Sequence, residues 1–196
     1  MASFGDAATL GMWAFATGIW TTGLFQSNLL PVSQMVLLFP GMLIYAGITL
    51  FIAGLFLYRR NDTFLGSSFC SFASLNITRA VLLICQNRGI LPSGPVADVL
   101  QGCLLESFAY VALSLLLGAV RMNVVLTLVL GCTFFGYALA GLYFLIHQIG
   151  GNAWSYAGEI GGYFMFAAGF FAYYGGTAVL VNTAWRRVLL PIGGET

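Results

Sequence analysis

The sequence predicts an all-α fold, a six-transmembrane-helix bundle, on three observations. Of its 196 residues 60% are hydrophobic and only 7% charged, which leaves too little polar surface to coat a water-soluble domain. Six apolar stretches of about 17 to 25 residues, the length that crosses a hydrocarbon core of ~30 Å, follow one another with only short turns between. The basic residues, all arginine, gather at alternate turns: Arg59 and Arg60 after the second stretch, Arg121 after the fourth, Arg186 and Arg187 after the sixth. Arg88 stands alone on the other side. The positive-inside rule then puts both termini in the cytoplasm of a multi-pass protein of the cell membrane.

The spans are expected near residues 9–25, 36–58, 65–85, 99–120, 124–147 and 156–185, all within one integral membrane domain covering 1–196. The first has a small-residue face, Gly11, Phe15, Gly18 and Thr22, and a bulky face, Trp13, Thr17, Trp20 and Leu24. Small faces mark close helix contacts in lipid, so the first face is placed inside the bundle. The bulky face suits a partner subunit. Asp6 just ahead of the span suits an N-cap. In the second span Pro40 either kinks the helix or frees a carbonyl toward a cavity. Pro92 and Pro95, with Gly89 and Gly94, make a short rigid turn between the third and fourth spans. The last span carries Gly158, Gly162, Gly169 and Gly176 on one stripe, which predicts a close helix contact. Trp154 and Tyr156 suit one membrane interface and Trp185 the other. The four cysteines lie singly in spans and read as inert buried thiols.

Ionisable groups inside spans are costly and need a partner, water or a function. Arg79 lies ~10 Å and Glu106 ~12 Å below the outer ends of adjacent antiparallel spans. Matching depth makes an ion pair between them the first reading. The alternative is that Arg79 binds an anionic solute through its planar fork while Glu106 carries a coupled proton. Glu159 and His147 lie near the outer surface and are further candidates for proton coupling. Ser68, Phe72, Asn76 and Arg79 share one face of the third span, a mixture suited to the wall of a solute path.

Catalysis has no support in the pattern. The single histidine, the absence of H-E-x-x-H, of a phosphate loop and of a nucleophile elbow argue against an enzyme. No cofactor or metal is expected, and a net charge of +1 gives no footprint for nucleic acid.

Several motifs together resemble the acetate uptake transporters, the succinate and acetate permeases. They are Asp6 to Gly11, DAATLG, where that family has N-P-A-P-L-G; Phe15 in the first span; Ala53-Gly54 and Tyr58; Asn61-Asp62-Thr63-Phe64; Ser71-Phe72; Ala172-Tyr173-Tyr174; and the C-terminal Leu190-Pro191-Ile192-Gly193. The chain looks like a divergent member, since both signature prolines are replaced, by Ala7 and Thr9, and Asp6 stands for the amide. The resemblance implies a homohexamer with one narrow path per protomer for small monocarboxylates such as acetate, usually taken up with protons by symport. It carries over an aromatic, an aromatic and an aliphatic closing the path, at Phe15, Phe72 and Leu130, with Thr133 as the other choice in the fifth span. It also places the first helix's N-terminus, Asp6, Leu10 and Gly11, near the path. Two other readings stay open: a channel for a small neutral or cationic solute such as ammonia, and a non-transporting scaffold or sensor.

Overall fold

The computed structural model describes residues 6–31, 38–150 and 155–194, with the backbone alone at 147–150 and 155. Trp154 and the side chain of His147 thus lie outside the described residues. Six helices run through them: α1 Ala8–Gln26, α2 Gly41–Arg59, α3 Thr63–Asn87, α4 Pro95–Ala119, α5 Val124–Gly150 and α6 Ser155–Trp185. No strand occurs among the described residues. The five helices after α1 are each long and apolar enough to cross a membrane, and the chain is a multi-pass membrane protein. Ile44, Leu55, Tyr110, Leu117 and Phe170 stand exposed on its outside, where a lipid solvent costs apolar side chains nothing.

Each helix start follows from local chemistry. Asp62 caps α3 by accepting from the Leu65 N–H at 2.9 Å. Pro95 is the first residue of α4, behind Gly94 at φ 86°. That is the helix position where a missing N–H is harmless. The expected turn is therefore shorter than the sequence suggested, and α4 begins four residues ahead of Val99. The first nine residues of α2, Gly41–Thr49, wind as a π-helix. Pro40 sits just before them with helical angles, φ −60° and ψ −42°. Two carbonyls of this turn meet side-chain donors: Ile44 accepts from Thr49 Oγ1 at 3.1 Å and Ala46 from Asn76 Nδ2 at 3.0 Å.

The packing places α1 at the centre. It runs along α6 and α2 and touches α3, while α6 continues to α5 and α5 to α4. The small face behaves as its residues require: Gly11, Phe15, Gly18 and Thr22 are all buried. The opposite face packs within the chain. A Cβ on Gly169 would lie 2.7 Å from Trp20 Cβ, and one on Gly176 2.7 Å from Trp13 Cδ1. Both tryptophans are seated in the glycine stripe of α6 in the same chain, and Trp20 also stacks 4.0 Å from Phe166. The stripe that reads as a close contact in the sequence is the seat of the face that reads as an outer surface. The thiols are free, but Cys103 is exposed and the other three half-buried, with Cys132 alone packing against the core.

The two described chain ends meet at one end of the bundle. Asp6 Oδ1 accepts from the Ala8 N–H at 2.9 Å and lies 3.2 Å from Arg60 Nη1. After α6 the chain turns back, and the carbonyls of Ile192 and Gly193 accept from the first N–H groups of α5, at Val125 and Val124. Asn182 holds this tail from both sides, donating to the Leu190 carbonyl at 2.8 Å and accepting from the Leu189 and Leu190 N–H groups. Tyr174 donates to the Pro191 carbonyl at 2.7 Å. The L-P-I-G motif is thereby a clasp that joins the end of α6 to the start of α5.

The glycine seat gives a direct test. At Gly169 an added Cβ would also stand 2.9 Å from the Trp20 Cα, a backbone atom that moves only with its helix. Gly169→Ala is expected to cost ~1 to 3 kcal/mol by overpacking. At Gly41 nothing lies within 4 Å of the same added atom, so Gly41→Ala should stay within about 0.5 kcal/mol. Thermal unfolding of the two variants in one detergent measures the contrast, and equal midpoints would remove the α1–α6 seat as a source of stability.

Candidate functional site

Three helices of common direction, α1, α3 and α5, lead away from the end that carries both chain ends, and each turns one bulky apolar side chain inward at similar depth. These are Phe15, Phe72 and Leu130, 3%, 2% and 2% exposed. The two rings lie 5.0 Å apart between centroids at an interplanar angle of 51°. All three residues line one cavity of about 10 Å³ together with Met12, Phe69 and Val129. That is at the lower limit for a single water molecule, and an apolar void of this kind stays dry. The one hydroxyl on its wall, Ser68, is spent on the Phe64 carbonyl at 2.8 Å. Thr133, the alternative to Leu130, does not line it. It is fully buried with its hydroxyl donated to the Val129 carbonyl at 2.7 Å.

Toward the chain ends the constriction opens into a cavity of about 80 Å³ that shares Met12, Leu65 and Leu126 with it and is bounded by Asn123, Val179 and Ile192. The tail clasp thus supplies part of the wall, through Ile192. Of the expected N-terminal group only Gly11 bears on the constriction, by leaving room for the Phe69 ring against it. Leu10 is 42% exposed and Asp6 is turned to Arg60 at the surface, so neither reaches the cavity.

On the other side of the constriction the same two helices present polar groups. Arg79 and Tyr137 lie two helical turns beyond Phe72 and Leu130 respectively, a rise of ~10 Å. Each is 3% exposed, at the same offset along its own helix. The Tyr137 ring also touches Phe72, at 6.2 Å between centroids, which ties the two levels together. Tyr137 is missed by a reading of the sequence by span. The signal was present, because its offset from Leu130 repeats that of Arg79 from Phe72. Asn76 lies between the levels, but its amide nitrogen is committed to the Ala46 carbonyl, so it braces α3 against the π-helical turn of α2.

The expected Arg79–Glu106 pair is not formed: no ion pair joins them among the described residues. The reason is the course of α4, which packs along α5 and scarcely touches α3 although a short turn joins the two. Glu106 accordingly faces α5, with Oε1 2.8 Å from where a Cβ on Gly141 would stand. Glu159 is not free either. It accepts from Asn28 Nδ2 at 2.7 Å, at the end of the bundle away from the chain ends. No group of three or more metal-ligating side chains occurs among the described residues.

Comparison with known proteins agrees with this architecture. The sequence matches the GPR1/FUN34/yaaH family over residues 1–191. Among solved structures it resembles the bacterial acetate channel SatP, with a TM-score of 0.85 and 22% identity over 97% of this chain and 100% of that one. None of the curated proteins matches it.

Separate surroundings for Arg79 and Glu106 predict independent energetics. In a double-mutant cycle of Arg79→Gln and Glu106→Gln, followed by thermal unfolding, the coupling should stay below about 0.5 kcal/mol. A coupling of ~3 kcal/mol, as for a buried ion pair broken from one side, would contradict the separation.

Proposed function

The chain belongs to the GPR1/FUN34/yaaH family, and from that premise we propose that it is a membrane channel or transporter for small monocarboxylates such as acetate, with one path in each protomer. The observation that carries this reading is the meeting of Phe15, Phe72 and Leu130 around one dry void. Apolar rings at a constriction gate by excluding water, so a solute must shed its hydration there and only a small one passes. The likeness of fold to SatP, an acetate channel, supports the choice of solute.

Proton coupling follows from the same dryness. Taking a bare carboxylate into an apolar medium costs far more than taking the neutral acid, whose hydroxyl and carbonyl cost only a few kcal/mol. A pathway through Phe15 and Phe72 thus favours passage together with a proton, and Glu106, Glu159 and His147 are the candidates to deliver it. Sidedness rests on charge: Arg59, Arg60, Arg121, Arg186 and Arg187 all stand at the end with the chain termini, which supports a cytoplasmic side for that end and the wider cavity. Assembly as a homohexamer rests on the family resemblance of the motifs.

Proteoliposomes separate these statements. Acetate and other short monocarboxylates should enter, methylamine should not, and an inward proton gradient should speed acetate. No flux of any solute would instead favour a scaffold or sensor. Phe72→Ala should change acetate flux by about tenfold, or ~1.4 kcal/mol of barrier, with the protein still assembled; unchanged rate and selectivity would remove the gate from Phe72. Mass measurement in mild detergents should give six chains, and a monomer in every detergent would count against the assembly.

A further inference from the structure

Arg79 is the feature that the apolar constriction leaves unexplained. It is 3% exposed, it lies about two thirds of the way along membrane-spanning α3, and no ion pair joins it to Glu106 among the described residues. Its Nε is shielded from solvent and has no hydrogen-bond partner among the described residues. A permanently charged group in such surroundings is expensive unless an anion answers it, and arginine cannot escape by losing its proton. Two orders of explanation exist, a fixed partner in the chain or a visiting one. The carboxylate expected to be the fixed partner has been drawn away by α5. Nε and one Nη of a guanidinium form a side-on fork that matches the two oxygens of a carboxylate, and here the Nε edge of that fork is free.

We propose that Arg79, flanked by Tyr137, is a binding station for one small carboxylate, two helical turns beyond the Phe15–Phe72–Leu130 constriction and on the side away from the chain ends. This deepens the monocarboxylate reading and rests on it for the identity of the solute. The station selects by geometry and by sign: a planar anion with two oxygens satisfies the fork, chloride satisfies only its charge, and a neutral amide of the same shape satisfies neither fully. Tyr137, buried on α5 with its ring 6.2 Å from that of Phe72, stands on the helix that carries Leu130, so that the station and the constriction share one wall.

The test uses the full-length protein, wild type, Arg79→Gln and Arg79→Lys, with two readouts. Thermal midpoints are taken with acetate, propionate, chloride and acetamide, and flux of acetate and acetamide is taken in proteoliposomes. Wild type should be stabilised by acetate and propionate but little by chloride or acetamide; Arg79→Gln should lose that shift, and Arg79→Lys should keep only part of it. Without added anion Arg79→Gln should melt no lower than wild type, since it removes an unanswered charge. Its acetate flux should fall at least tenfold while acetamide flux changes less than twofold. An Arg79→Gln protein that fails to assemble or melts lower would overturn the proposal, because it would mean that the chain itself answers the charge. Equal shifts from chloride and acetate would overturn the carboxylate fork. Wild-type acetate flux with no dependence on Arg79, in flux or in melting, would overturn the station and leave the transport reading standing. An Arg79-dependent shift by carboxylates without any wild-type flux would do the reverse.

Discussion

Helices in lipid gain nothing from hiding apolar surface from a solvent that is itself apolar, so they hold together only where their backbones can come close. The structure depends on one such approach, between α1 and α6. Gly162, Gly169 and Gly176 let the backbone near Ser27 and the side chains of Trp20 and Trp13 sit against α6. With the bulky half of α1 so occupied, its rotation about its own axis is fixed. Phe15 must then face α3 and α5, and Gly18 must face α2, where it lies against Ala46 and against Asn76 of α3. The central constriction is a consequence of where the tryptophans go.

The second determinant is the fold-back of the C-terminal tail. Helix starts leave N–H groups without partners, and α5 solves this with Asn123, which accepts from Leu126 at 2.8 Å, and with the carbonyls of Ile192 and Gly193. The same tail lines the wider cavity through Ile192. One short segment therefore both caps the helix that carries Leu130 and shapes the approach to it.

Much of this was legible because lipid makes strong demands on local sequence. Helix number, the inward face of α1, the glycine stripe of α6 and the inward aromatic of α3 all follow from periodicity and residue size. What failed was pairwise placement. Trp13 and Trp20 read as an outer face because bulk alone does not say which helix will cover it, and the answer lay more than a hundred residues away on α6. Arg79 and Glu106 read as a pair because they share a depth and a short turn joins their helices. Depth is set by the local count of residues, but contact is set by helix order, and Gly102 and Gly141 draw α4 and α5 together. Thr133 could not be separated from Leu130 by counting, since one helical turn carries both; only the direction of each side chain does so. The π-helical turn of α2 has no marker in its residues beyond the proline that precedes it.

On the transport reading proposed above, the two levels of α3 and α5 divide the work of selection between them. A dry apolar ring discriminates by size and hydration but is indifferent to sign, because its cost for a bare anion and a bare cation is of the same order. Sign must come from a fixed charge that is near enough to act and far enough not to wet the ring. At ~10 Å, with an effective dielectric of ~20, a guanidinium changes the energy of a unit charge at the ring by ~1.7 kcal/mol, favourably for an anion and unfavourably for a cation. The difference of ~3.4 kcal/mol amounts to a preference of roughly 300-fold. One helical turn of separation would about double the pull on an ion in the ring and four turns would about halve it, so the two turns between Phe72 and Arg79 let Arg79 hold its carboxylate at its own level while still setting the sign of what the ring admits.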